Sequence, residues 1–281
     1  MDTELARTFL TVIDAGNFIG AAERLHVTQS TVSARIHSLE ELLGCKLFVR
    51  NKGGTTLTPA GHQFQKHAAV LVRTVEHARQ DVGVSRGYRA TLTVGGRFGL
   101  WERLLLRWLP AMRAAAPDVS VRAEIGFESD LMQGLIDGRL DIGVMYTPQS
   151  RPGLTIEPLL TESLVMVATR PLAAAEPDAD YVYVDWGPEF YARHSARFPD
   201  FVGAGISANI GWLGLQHVLQ YGGSGYFPLR LVQPLLDEGR LHRLDDAPAF
   251  ALPAYLVHAT DGDRRVLAPA LDVIRRVAAE A

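Results

Sequence analysis

One cysteine in 281 residues is too few for an internal disulfide or a cysteine-rich metal site, and Cys45 reads as a small buried hydrophobe. The chain has no GxxxxGKS phosphate loop, no GxSxG elbow and no HExxH helix, and its nine histidines are scattered. Phosphate-loop, serine-hydrolase and zinc-protease chemistry therefore lack their signatures. Gly95-Gly96 followed by Gly99 is half of a dinucleotide fingerprint at the wrong spacing. Long apolar runs are missing too. The charge-free stretch 201–229 carries seven glycines plus Ser207, Asn209, Gln216, His217 and Gln220, which argues against a membrane span. Asp2 and Glu4 open the chain unlike a secretory leader. A cytoplasmic protein with no membrane partner, metal or cofactor is expected.

What is present points elsewhere. A hydrophobic content of 47% and a charged content of 21% suit a globular protein, and the length allows two or three domains. The net charge of −3 does not by itself suggest nucleic acid, but it is unevenly spread. Residues 1–89 hold 11 Lys/Arg against 8 Asp/Glu, and residues 90–281 hold 17 against 23. The basic N-terminal part carries the electrostatic footprint for a polyanion, and the acidic remainder is repelled from one.

The most informative segment is TQSTVSARIHSLEELLG, Thr28 to Gly44. At about 3.6 residues per turn, Val32, Ile36, Leu39 and Leu43 form an apolar stripe. Ser30, Ala34 and His37 lie roughly opposite, with Gln29 and Ser33 on the flank. Thr28 is a good N-cap and Gly44 a good stop. A small, uncharged, hydrogen-bonding face fits a major groove, where Gln and Ser read base edges and hydroxyls hold phosphates. Upstream, Leu5, Phe9, Val12 and Ile13 define a first helix over 3–14, Gly16-Asn17 breaks it, and Phe18–Leu25 forms a second. His26-Val27 turns the chain into Thr28, completing a helix–turn–helix. Downstream, strands at Lys46–Arg50 and Thr55–Thr58 flank a Gly53-Gly54 turn, and Pro59 starts a helix. This wing presents Arg50, Lys52 and Thr56 to the DNA backbone. A helical domain docking on a protein partner is the competing reading.

The run FLTVIDAGNFIGAAERLHVTQSTVSARIHSLEELLGCKLFVRNKGGTTLTPAG resembles the DNA-binding domain of LysR-type transcriptional regulators, almost without a gap over residues 3–61. The opening MDTEL, LWERLL at 100–105 and DWGPEF at 185–190 resemble one subgroup, typified by an enterobacterial repressor of the flagellar master operon. The resemblance implies that Gln29 and Ser33 contact bases and phosphates, with Arg35 and Arg50 in support. Gly20 stands where the family often has Arg, so one phosphate contact is missing.

From Pro59 to about Gly87 the chain reads as one helix in which Phe64, Ala68, Leu71, Val75, Ala78 and Val82 are spaced 4, 3, 4, 3 and 4 apart. That is a heptad seam for a two-helix coiled coil; packing on its own domain is the alternative. A dimer or tetramer would then read a pseudo-palindromic duplex. Beyond Arg89, strands at 91–96, 120–127 and 141–146 alternate with helices at 100–117 and 129–140, predicting a parallel sheet. More strands are expected at 162–169, 181–185 and 253–260, with helices near 209–221, at 229–238 and at the C-terminus. The resemblance implies an α/β effector domain like the periplasmic binding proteins, with two lobes joined by crossing strands near 160–168 and 254–261. The expected units are a winged helix–turn–helix (1–58), a linker helix (59–87) and an effector domain (88–281). Within the last, lobe I is 88–161 with 262–281, and lobe II is 162–261.

In such folds ligands lie beyond the carboxyl ends of strands, near helix N-termini. The candidates are Gly96, Arg97, Phe98, Phe127, Glu128 and Ser129 on one side and Ser207, Asn209, Tyr226 and Phe227 on the other. Arg97 is the sharpest, because a guanidinium can clamp a carboxylate or phosphate. It can equally pair with Glu128 or Glu102 and plug the cleft. The leading function is a DNA-binding transcription regulator controlled by a small effector, possible anions included. The alternatives are an effector-independent regulator with a plugged cleft and, remotely, an α/β enzyme.

Overall fold

The computed structural model describes residues 2–51, 54–82, 87–171 and 175–280. Local capping chemistry sets the first three helices. Asp2 accepts the Glu4 N–H at 3.0 Å to start α1 (Thr3–Ala15), and Gly16 ends it at φ 70°. Asn17 accepts the Gly20 N–H at 2.7 Å to start α2 (Phe18–Arg24). Thr28 accepts the Thr31 N–H at 3.2 Å to start α3 (Gln29–Leu43), and Gly44 stops it at φ 69°. Phe9, Val12, Phe18, Ala21, Val32 and Leu39 close a dry core between them.

The wing begins later than the apolar pattern suggests. β1 (Phe48–Asn51) pairs antiparallel with β2 (Gly54–Leu57), Phe48 opposite Leu57. The cause is Glu40, buried on α3, whose carboxylate accepts the Leu47 N–H at 2.9 Å and the Lys46 ammonium at 2.7 Å. Residues 45–47 are thus tied to the helix rather than to a ladder. Two expectations change with this. Leu43 is 37% exposed instead of completing the apolar stripe, and Cys45 is exposed because fully buried Leu47 takes the inward place.

α4 (Pro59–Val82) leaves the wing at Gly61, where a Cβ would sit 2.3 Å from the Leu47 carbonyl oxygen. Its first half lies on α1, with the Phe64 ring edge-on to Phe9 at 5.1 Å.

The remaining chain builds one mixed sheet in the order β4-β3-β5-β11-β6-β9-β7-β8, with β10 (His242–Arg243) beside β6. Lobe I holds β3 (Ala90–Gly96) parallel to β4 (Val119–Ile125) and β5 (Ile142–Met145). Lobe II holds β7 (Tyr181–Val184) parallel to β8 (Ile206–Ala208) and β9 (Ser224–Pro228). The expected parallel order holds within lobes and fails between them. There β6 (Leu154–Ala168) and β11 (Phe250–Ala259) run antiparallel and pass from one lobe to the other. β6 starts eight residues earlier than expected, across Pro158, where the pairing shifts at Ala254/Tyr255; proline in a strand hides it from pattern reading.

The helix expected over 100–117 is broken. After a single turn, α5 (Phe98–Leu100), the chain kinks at Glu102 (ψ 123°) and Arg103 (φ 61°), and α6 (Leu106–Ala115) follows. α7 (Glu128–Asp137), α9 (Gly211–Tyr221), α10 (Leu229–Asp237) and α11 (Arg264–Ala279) fall near their expected ranges. α8 (Pro188–Arg197) was not legible. Trp108 and Met112 of α6 pack with Ala270 and Ile274 of α11 in one continuous core that reaches Tyr181 and Phe227 of lobe II. Among the described residues, no helix is long and apolar enough to cross a membrane.

Candidate nucleic-acid interface and inter-lobe cleft

The N-terminal turn of α3 is open to solvent. Gln29 and Ser30 are exposed and Ser33 is half-buried, and the Ser30 hydroxyl is 2.8 Å from that of Thr28. His37, further along the same side, faces Glu41 at 3.2 Å. Arg35 does not join them. It sits on the opposite flank, donating to the Thr8 hydroxyl at 3.3 Å and lying 3.4 Å from Glu4. It ties α3 to α1 and is corrected from DNA contact to brace. On the wing, Thr56 is exposed and Arg50 is in register with Thr55 on the paired strand. Lys52 lies outside the described residues.

The seam of α4 divides into two parts. Ala68 is fully buried in its own domain, Phe64 packs on Phe9, and Leu71 is partly covered by the same core. Ala68 is therefore removed from the partner-facing set, because α1 already covers it. Val75 is half-buried and Ala78 exposed; the side chain of Val82 lies outside the described ones. Charged contacts hold this unit against lobe I. Arg7 donates to Glu76 and lies 3.9 Å from Asp137, and Arg151 donates to Asp14 at 2.9 Å. Gly138 permits the approach, since a Cβ there would be 2.6 Å from the Arg73 Cα. Asp137 has its carboxyl pushed above the ordinary range by burial, against the opposing hydrogen bond from Gln133 and the charge of Arg7. A cavity of about 740 Å³ remains between α1, α2 and α7.

The cleft between lobes is built around Arg97, which follows β3. Its Nε is 3.4 Å from Glu128, its Nη2 donates to the Asn209 carbonyl of lobe II at 3.4 Å, and its guanidinium lies 4.7 Å from the Phe127 ring centre. Glu102 is not its partner. Two chambers of about 290 Å³ each share Arg97, Phe127, Tyr146 and Trp186 in their walls. One adds Glu128, Thr147, Asp185 and Asn209; the other adds Phe98, Ile125, Asp130 and Ile210. Phe98 also lies 5.6 Å from Trp212.

Other candidates fall outside these chambers. Gly96 is buried, and a Cβ there would be 2.7 Å from Leu105, so its smallness serves the kinked turn rather than a ligand. Tyr226 is fully buried, 4.9 Å from Phe250, which removes it from the cleft; Phe227 is buried as well. Ser129 lines the inter-domain cavity, and Ser207 lines a lobe II surface pocket next to Asn209. Tyr146, Asp185 and Trp186 were missed. They follow the carboxyl ends of β5 and β7, so the strand-end rule applied to every strand finds them. The Tyr146 hydroxyl is buried without a hydrogen-bond partner, and burial raises its pKa well above the ordinary tyrosine range, with Glu162 adding to the effect.

A winged helix–turn–helix joined by a long helix to a two-lobed α/β domain defines a transcription regulator with an attached effector domain. Residues 3–62 match the bacterial regulatory helix-turn-helix proteins of the lysR family, and residues 85–279 match the LysR substrate binding domain. The chain belongs to the LysR family of DNA-binding transcription regulators. It is 28% identical over 274 residues to the HTH-type transcriptional regulator HdfR of Escherichia coli, covering 95% of each chain. A full-length OxyR variant of Pseudomonas aeruginosa shares the fold at a TM-score of 0.59 and 22% identity, over 98% of this chain and 95% of that one. Full-length CbnR complexed with its target DNA aligns at a TM-score of 0.52 and 21% identity, over 99% and 100%.

Proposed function

We propose that the protein is a cytoplasmic, non-enzymatic regulator that reads a pseudo-palindromic duplex as a dimer or tetramer and responds to a small effector between its lobes. It divides into a reading domain (1–58), a linker helix (59–87) and an effector domain (88–281). Gln29 and Ser33 read base edges and phosphate, Ser30 and His37 line the groove, and Arg50, Lys52 and Thr56 hold the backbone. The observation that carries this reading is the exposed start of α3, where Gln29 and Ser30 stand clear of their own domain while its apolar side is sealed. The exposed Ala78 side of α4, with Leu71 and Val75 beside it, supplies the contact with a second copy. An electrophoretic mobility assay on the DNA upstream of the protein's own gene tests the proposal. A salt-sensitive shift that specific competitor removes more readily than random DNA supports it, and no shift at low salt refutes it.

A further inference from the structure

We propose that the inter-lobe cleft recognises an organic cation, an amine or guanidine carried on an apolar body, for whose place the Arg97 side chain competes. This rests on reading the cleft as the effector site. The surroundings of Arg97 are those a cation selects. Its guanidinium lies over the face of Phe127 at 4.7 Å and beside the Glu128 carboxylate at 3.4 Å, the two contacts that hold a cation in an aromatic cage. The same chamber carries a second carboxylate from the other lobe, Asp185. One Asp185 oxygen accepts the Gly187 N–H at 2.9 Å, and among the described residues no cationic side chain pairs with it. Tyr146, 7% exposed, lines both chambers, and its buried, unpartnered hydroxyl has an acceptor lone pair free for a cationic N–H. The adjoining chamber, walled by Phe98, Ile125 and Ile210, suits an apolar body.

Charge balance sets the sign. The two chambers are lined by one cationic side chain, Arg97, against Glu128, Asp130 and Asp185. That one guanidinium already has a carboxylate, a carbonyl and a ring as partners. An incoming anion would have to draw Arg97 from Glu128 and then face the released carboxylate and Asp185 at close range, a like-charge cost. The positive end of the α7 dipole is already answered by Glu128 and Asp130 in its own first turn. An incoming cation instead takes over contacts that exist, and frees Arg97 to swing off Asn209. Because that contact joins lobe I to lobe II, exchange of the tethered cation for a free one changes how the lobes are held together.

The test uses the full-length chain and a pair of probes matched in body and opposite in charge, phenethylamine and phenylpropionate, read by thermal unfolding. In Arg97→Met the tethered competitor is gone, so phenethylamine stabilises that variant at about tenfold lower concentration than wild type. Phenylpropionate stabilises neither. Adding Glu128→Gln to Arg97→Met removes the response to the amine. If Arg97→Met does not fold, Arg97→Gln takes its place. Stabilisation of wild type by phenylpropionate, lost in Arg97→Met, overturns the cation assignment and leaves the cleft as an anion site. An amine response that survives Glu128→Gln overturns the placement. If neither probe moves the unfolding temperature of any variant, the cation assignment falls, whereas the effector reading beneath it, which names no ligand chemistry, falls only when a broad panel of small metabolites also leaves the wild type unmoved.

Discussion

Arg230, at the start of α10, grips Glu162 on the crossing strand β6: its Nε donates to one carboxylate oxygen at 3.3 Å and its Nη2 to the other. The same guanidinium donates to the Gly99 and Glu102 carbonyls, at 3.0 and 2.6 Å. The kink at Glu102 and Arg103 turns those carbonyls away from any helical ladder, and one side chain from lobe II collects both. Glu162 is almost wholly buried, and Arg230 is the cationic partner that its carboxylate meets there. Arg230→Met leaves a buried carboxylate unpaired and costs about 3–5 kcal/mol of effector-domain stability. The double variant Arg230→Met with Glu162→Met recovers most of that loss. Urea unfolding of the three proteins checks this, and a cost that is additive in the double variant removes the clamp.

For DNA reading, Gln29→Ala costs about 1–3 kcal/mol at a cognate site and relaxes preference at one or two base pairs. Arg50→Ala weakens cognate and random duplexes alike and lowers the salt slope by about one ion. Arg35→Ala acts differently, because its guanidinium holds Thr8 and Glu4 rather than facing outward. It lowers the melting temperature of the first domain with little change in the salt slope. Anisotropy titrations across a salt series separate the three.

Assembly is tested best at Ala78, which is exposed, and not at Leu71, which is partly spent on its own core. Ala78→Asp places a charge on the face of α4 proposed to meet a second copy. Sedimentation shifts toward monomer and cognate binding collapses while the chain stays folded. An unchanged oligomer with unchanged binding ends the proposal for this face.

The first domain was legible almost residue by residue because its determinants are local. Thr28 and Gly44 announce the ends of α3 from within one turn of chain, and the spacing of Val32, Ile36 and Leu39 fixes its buried side. What was misread depends on contacts distant in sequence. Glu40 looks like a surface acid until Leu47 and Lys46 come back to it. Ala68 and Phe64 fit a coiled-coil seam as well as they fit α1, and spacing alone does not choose. The crossing strands divide: β11 lies close to where it was expected, whereas Pro158 disguises the first half of β6, which shows as a strand only through its pairing with β11. In the cleft, the strand-end rule found Arg97 and Glu128 and named Tyr226 wrongly. β9 is buried along its whole length, so no alternation marks which side of it meets the ligand.

Glu40 links the wing to acid stability. Burial pushes its carboxyl up, but the Lys46 contact and the Leu47 and Phe48 N–H groups outweigh that, and its pKa is lowered overall. An acid whose pKa is depressed by folding contributes stability above its unfolded pKa, about 4.3, and loses it as pH falls through the lower folded value. Glu40→Gln keeps an acceptor but loses the charge and costs about 1–3 kcal/mol at neutral pH. The variant's stability also becomes flatter than wild type below pH about 4. Parallel pH profiles would falsify the role.

His194 gives lobe II an acid sensitivity of the same sign as that of Glu40, but one that begins nearer neutral pH. It is 1% exposed on α8, its Nε2 3.0 Å from the Tyr181 hydroxyl, with the rings of Phe190, Phe198 and Phe201 within 5.3 Å of its own. Burial lowers its pKa, since an imidazolium there gives up water for aromatic walls. The unfolded chain therefore takes up a proton near pH 6.5 that the folded one refuses until lower pH. Stability is full above that point and declines as pH falls toward the folded pKa, by at most about 1.4 kcal/mol per pH unit for one proton. Replacing His194 by Gln keeps a hydrogen-bonding group for Tyr181 and removes the titration, so the variant starts less stable but loses nothing between pH 7 and pH about 5.5 from this source. Urea unfolding of both proteins at these two pH values measures the difference. An equal loss in both places the acid sensitivity elsewhere, with buried Asp137 excluded as its source because a raised carboxyl pKa makes stability rise, not fall, on acidification.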